Sequence, residues 1–238
     1  MKRQLLIYAF LLWAQAAEAS VITTLVEDSI VQPGGVRTTN GGTTLVDYFF
    51  NAEGSSNNSF ASFAPVDFSV PSGAHILSTG VTLTLKLTED NAAFTTPGML
   101  DILLATDTTT NIGLGSPLAF QTSSLPHGVG TQLNNPAVLG SFSFPTSGNV
   151  NSGQVDTITL TPTGAQLTYL VNQVNTNGDI RLVLAPADAN VAATYGGIGN
   201  SSFAGPQLTI TDSSDAVPEP ATVFLSLVGI VSVLLLKR

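Results

Sequence analysis

A chain of 238 residues with 43% apolar side chains can close a full hydrophobic core, and it does so without a single cysteine to brace it or to act as a thiolate. Seven basic residues stand against sixteen acidic ones, a formal net charge of −9; so few and scattered cations exclude recognition of a phosphate backbone, and nucleic acid is no partner. Between residues 20 and 217 the deficit is deeper, with Arg37, Lys86 and Arg181 facing fourteen carboxylates, so anionic lipid does not attract this part either.

The N-terminus reads as an export signal. Lys2 and Arg3 precede an apolar run from Leu5 to Leu12 and Trp13, and Ala17-Glu18-Ala19 supplies small residues one and three positions before a cut. Signal peptidase is expected to remove residues 1–19, with Ala17 and Ala19 as its recognition positions and Ser20 as the new first residue. The chain's one tryptophan, Trp13, leaves with that peptide.

Residues 20–212 are expected to form one β-sandwich domain. Short apolar bursts separated by Thr, Ser, Asn and Gly are the pattern of an all-β fold. In "VTLTLKL", Val81, Leu83, Leu85 and Leu87 alternate with Thr82, Thr84 and Lys86, which places the aliphatic groups on one face of a half-buried strand. Further strands are predicted over Leu45 to Phe50, Phe60 to Phe68, Met99 to Ala105, Val138 to Phe144, Val155 to Thr161, Ile180 to Leu184, Val191 to Tyr195 and Gln207 to Thr211. That number suits a jelly-roll-like sandwich of two sheets. From Thr106 to Asn135 the glycines and prolines predict long loops.

One stretch departs from the period of two. Leu167, Leu170, Val171 and Val174 fall at i, i+3, i+4 and i+7, with Thr163 as N-cap and Asn177-Gly178 as the stop. These predict a single short helix over Gly164 to Asn175, its apolar stripe closing one end of the sandwich.

The chemistry-bearing residues are few. His75 and His127 each sit in a turn-like setting and read as exposed loop histidines rather than zinc ligands, since no i, i+4 histidine pair exists. No Gly-x-Ser-x-Gly elbow is present, and "GGIGNSSFAG" from Gly196 reads as a loop rather than a phosphate cradle. Asp101 with Asp107, and Glu89 with Asp90, are the carboxylate pairs open to a glycosidase or to a structural Ca²⁺, but Glu89-Asp90 at a strand end reads as a solvated turn and no EF-hand spacing occurs. No cofactor is expected. For sugar stacking the domain offers Tyr48, Tyr169 and Tyr195. Tyr48 and Tyr169 read as packing residues, and Tyr195, before two glycines, is the best placed for a ligand, with strand-end packing as its competing role.

The chain closes with a Pro-rich linker, residues 213–220, and then residues 221–238. Ala221 to Leu236 carry no charge, and Lys237 and Arg238 follow at once. A helix there is about 24 Å long, short of a hydrocarbon core of roughly 30 Å but usable if the two cations snorkel. The expectation is a C-terminal transmembrane helix stopped by Lys237 and Arg238, with the domain outside. Two prolines hold Val217 to Pro220 extended and open to an enzyme.

The triplet Pro218-Glu219-Pro220, the apolar run and the basic end, in that order, resemble the PEP-CTERM sorting signal. The resemblance implies a Gram-negative host, processing by the membrane-embedded exosortase at Pro218, Glu219 and Pro220, a transient membrane anchor, and delivery to the cell surface or an extracellular polysaccharide matrix. The body is similar to the DNRLRE surface β-sandwiches in three places: "DFSVPSGAHILSTGVTLTLKL" from Asp67, the helix ending before "NGDIRLVL", and "GPQLTI" from Gly205. Together these imply an exported structural or adhesive protein that is not an enzyme. The alternatives are a carbohydrate-binding module and a secreted hydrolase.

Overall fold

In the computed structural model, residues 19–40, 43–44, 48–56, 61–90, 96–144 and 153–213 are described. The strands in chain order are β1 (Ala19–Ile22), β2 (Thr24–Asp28), β3 (Val31–Gln32), β4 (Gly35–Val36), β5 (Thr39–Asn40), β6 (Thr43–Thr44), β7 (Phe49–Glu53), β8 (Ala64–Ser69), β9 (Thr82–Thr88), β10 (Gly98–Ala105), β11 (Ala137–Phe144) and β12 (Val155–Leu160). Helix α1 (Gly164–Asn175) comes next, and β13 (Asp179–Pro186), β14 (Ala192–Gly196) and β15 (Gln207–Asp212) complete the chain.

Two antiparallel sheets carry the architecture: a four-stranded sheet in the order β1-β15-β9-β12 and a five-stranded sheet in the order β11-β10-β13-β8-β2. Alternation puts Leu83, Leu85 and Leu87 of β9 on one face, and they share a core with Val66 and Phe68 of β8, Leu100, Ile102 and Leu104 of β10, and Ile180, Leu182 and Leu184 of β13. Each such side chain removed from water contributes about 1.5–3 kcal/mol, which is why the sheets close face to face. The expected two-sheet sandwich is present. The strands β7 and β14 pair only with each other as a ribbon, joined to the rest by bridges from Glu89 to Tyr195 and from Glu53 to Ser62.

Helix α1 has the predicted bounds. Thr163 holds the N-cap position with an extended backbone, although its hydroxyl makes no capping bond. Asn177 takes φ 55° and the Gly178 N–H returns to the Gln173 carbonyl at 2.8 Å, the left-handed ending that asparagine and glycine permit. Leu170 and Val174 enter the core, and the Asn175 carboxamide bonds both the N–H and the carbonyl of Ile76.

Six strands lie outside the sequence expectation, β1 to β6, four of them only two residues long. In β2 the register against β8 shifts between Leu25 and Glu27, so a bulge breaks the alternation by which a strand is recognised. The segment 106–135, expected as long loops, has no strand or α-helix, yet it packs inward. Ile112, Leu118, Phe120, Val129 and Leu133 pack on Phe63, Leu103, Val183 and Ala185 as a second apolar cluster. This cover lies on the face of the five-stranded sheet opposite the shared core, which is why all but the first residue of β13 is buried.

Among the described residues no helix is long and apolar enough to cross a membrane; α1 has 12 residues. This corrects the expected C-terminal transmembrane helix, whose residues 221–238 lie outside the described ones. Transient anchoring in the bilayer through that helix, and the cell-surface delivery expected from it, are corrected with it; the expected exosortase, signal peptidase and matrix-polysaccharide partners find no support among the described residues. Ala17, the linker with Pro218, Glu219 and Pro220, and Lys237 and Arg238 also lie outside the described residues. Ala19 opens β1 opposite Asp212, and Ser20 comes next, opposite Thr211.

Candidate functional site

Where the cover crosses strand β10, three polar side chains meet. Asp101 lies on β10 opposite Ser141 of β11, and its two carboxylate oxygens are divided between neighbours. One faces His127 Nε2 at 2.5 Å, and the other accepts the Ser141 hydroxyl at 2.5 Å. Beside this group lies a hollow of about 210 Å³ lined by Ser124, His127, Thr131, Leu103, Val129 and Pro136. His127 keeps 30% of its side chain exposed and Asp101 13%.

A serine, a histidine and an aspartate are therefore brought together, yet in the wrong order for acyl transfer. A hydrolytic triad needs the serine hydroxyl on the histidine, so that the ring can take its proton. Here the aspartate occupies the centre, and the serine and the histidine each bond to it instead. The arrangement fixes the loop carrying His127 to β10 and leaves the ring edge toward the hollow, which suits holding a small polar group better than activating a nucleophile.

A second polar group is interior. Glu89, expected in a solvated turn, is fully buried, and Asp156 of β12 is 6% exposed. The Gln154 amide lies 3.4 Å from an oxygen of each, and Tyr195 donates its hydroxyl to Asp156 at 3.1 Å. Loss of hydration, then the neighbouring Asp156 charge and the bond between the two carboxyls, raise the Glu89 pKa to about 7. The Glu89 carboxyl therefore holds its proton up to about pH 7. Gln154 bridges the two carboxyls in the interior of the domain, where neither a sugar nor its attacking water has access, so the pair does not fit glycosidase chemistry.

Tyr195 is the counterpart of this correction. It has no exposed surface, and its ring packs 5.6 Å from Phe50 and 5.9 Å from Phe144, centroid to centroid. It offers no face to a sugar, and the strand-end packing role is the one it fills. Tyr48 is exposed instead, and Tyr169 on α1 is half-buried with its hydroxyl 3.4 Å from the Thr106 carbonyl.

The remaining expected carboxylates serve the backbone. Asp107 does not join Asp101; it accepts the N–H groups and hydroxyls of Thr109 and Thr110. The Thr110 hydroxyl leads those bonds in holding its pKa far below the ordinary carboxylate value. His75 is exposed in its loop. Among the described residues no three His, Asp or Glu side chains converge as a metal site would require. The buried Arg181 grips both oxygens of Asp67, at 2.6 and 2.7 Å, and the Asp107 carbonyl at 2.9 Å. Sequence reasoning missed the Asp101–His127 pairing because the partners stand 26 positions apart, with the end of β10 and a long irregular segment between them.

No family model matches the sequence, and no curated protein matches it either.

Proposed function

We propose that this chain is a structural or adhesive β-sandwich without catalytic activity. The observation that carries the reading is how its reactive groups are employed: Asp101, Glu89, Asp156, Asp107 and Arg181 are bound to protein partners that hold strands and loops in place. Arg37 and Arg181 are buried, so Lys86 is the one exposed lysine or arginine among the described residues. The surface left to neighbours is rich in Thr, Ser and Asn, which suits neutral hydrogen bonding. The resemblance of Pro218-Glu219-Pro220, with its apolar run and basic end, to the PEP-CTERM signal supports a scaffold role over a metabolic one. The test is a screen of the full chain against glycoside and ester substrates, beside His127→Ala and Asp101→Asn. No turnover above background is expected in any of the three; turnover in the wild type that either variant abolishes would overturn the reading.

A carbohydrate-binding module is the second reading, favoured by the hollow beside His127, where Ser124, Thr131 and the imidazole edge meet apolar Leu103, Val129 and Pro136. It moves the sugar contact from the interior Tyr195 to His127.

A further inference from the structure

The ribbon formed by β7 and β14 buries a reactive arrangement that none of the roles above uses. Glu53 and Ser62 are direct antiparallel partners, exchanging N–H···O bonds of 3.0 and 3.1 Å. Asn51, two residues before Glu53, shares its face of the strand. Asn51, Glu53 and Ser62 all have no exposed surface. The Ser62 hydroxyl donates to Asn51 Oδ1 at 3.0 Å, and Asn51 Nδ2 donates to Glu53 Oε1 at 2.5 Å. A nucleophile, a carboxamide and a carboxyl group thus stand in line, away from water. Loss of hydration, opposed by the nearby Arg37 charge, raises the Glu53 pKa to about 7. Its second oxygen, Oε2, is buried with no hydrogen-bond partner.

We propose that Ser62 and Asn51 join in an intramolecular ester, with Glu53 as the proton carrier and ammonia as the leaving group. Ser62 Oγ adds to Asn51 Cγ while its proton passes to Oδ1. The Glu53 carboxylic acid protonates Nδ2, the Cγ–Nδ2 bond breaks, and ammonia departs. The Glu53 carboxylate then takes the proton from Oδ1 as the carbonyl reforms. One C–O bond replaces one C–N bond, nothing is oxidised or reduced, and Glu53 ends as it began. The hydroxyl needs a shift of about 1 Å from the carbonyl oxygen toward its carbon to reach a near-attack separation of roughly 3–3.5 Å. Exclusion of water protects the product from hydrolysis. The link ties β7 to the segment entering β8, where a scaffold protein gains resistance to pulling.

The experiment is peptide mass analysis of the full chain, denatured and cut after glutamate, so that residues 28–53 and 54–89 separate unless joined. The expected result is a single joined species about 17 Da lighter than the sum of the two peptides, split by mild alkali. Ser62→Ala is expected to give two separate peptides, and Glu53→Gln, cut with trypsin instead, the 38–86 peptide at its unmodified mass. Two separate wild-type peptides at full mass would overturn the proposal, and so would the same loss confined to 28–53, which marks cyclisation of Asn51 on its own backbone. The wild-type digest decides the matter even if a variant fails to fold.

Discussion

Arg181 shows how one residue's meaning depends on what lies across the sheet. It sits on β13 directly opposite Asp67 of β8, on the face where the 106–135 cover excludes water, and is 2% exposed. A charge in that position is tolerated because the guanidinium finds two carboxylate oxygens and a backbone carbonyl. Removing one partner leaves the other charge buried and uncompensated. Arg181→Met is therefore expected to cost about 3–5 kcal/mol of unfolding free energy, measured by urea titration, while replacing Arg181 and Asp67 together by apolar residues recovers much of that loss. In the sequence this arginine was legible only as one of three cations in the domain. Its burial depended on a segment 45 or more residues upstream.

At the scale of elements, the segment 106–135 keeps the irregular backbone expected of loops but packs as a layer on the five-stranded sheet. Phe120 is 5% exposed and stacks 6.4 Å from Phe63, centroid to centroid. Gly128, at φ 68°, lets the chain pass so close to that ring that a Cβ there would stand 2.0 Å from it. Phe120→Ala is expected to cost about 3–5 kcal/mol by chemical denaturation, the penalty of a core cavity, whereas a free loop would lose under about 0.5 kcal/mol. Its packing was not legible because its apolar residues follow neither the strand period nor the helix period. Only the uncovered face of β10 and β13 explains them. Helix α1 is the opposite case, since its periodicity, N-cap position and stop are all local features and its bounds were readable.

For the molecule as a whole, buried carboxyls make stability depend on pH. Glu53 and Glu89 have pKa values raised to about 7 by loss of hydration, Glu89 further by the Asp156 charge. A raised carboxyl pKa gives stability that is complete below the unfolded value and is lost as pH climbs through the folded one. Asp107 acts in the other direction: its lowered pKa supplies stability above the ordinary carboxylate range that disappears as the medium becomes more acid. Thermal unfolding is thus expected to show its highest Tm near about pH 4, to fall progressively as the pH climbs to about 7, and to stay low at pH 8.5. Glu89→Gln, which keeps a hydrogen-bonding group but removes the ionisation, is expected to reduce the loss between about pH 4.5 and 7. A Tm that rises steadily from pH 5 to pH 8.5 would mean that neither buried acid holds its proton.

By itself the sequence determined the class of the domain: the alternation along residues 81 to 87, the helix from Gly164 to Asn175, the lack of disulfides and the scarcity of exposed cations all stem from the order and kind of residues. These are short-range or summed properties, and a period of two or of 3.6 leaves its mark within a dozen positions. Tertiary structure alone decided which polar groups are sealed inside. Glu89 beside Asp156, Tyr195 between Phe50 and Phe144, and Ser62 against Asn51 and Glu53 are brought together by sheet pairing and a two-sided core. Burial is a property of what covers a residue, and the covering atoms come from strands and loops distant along the chain.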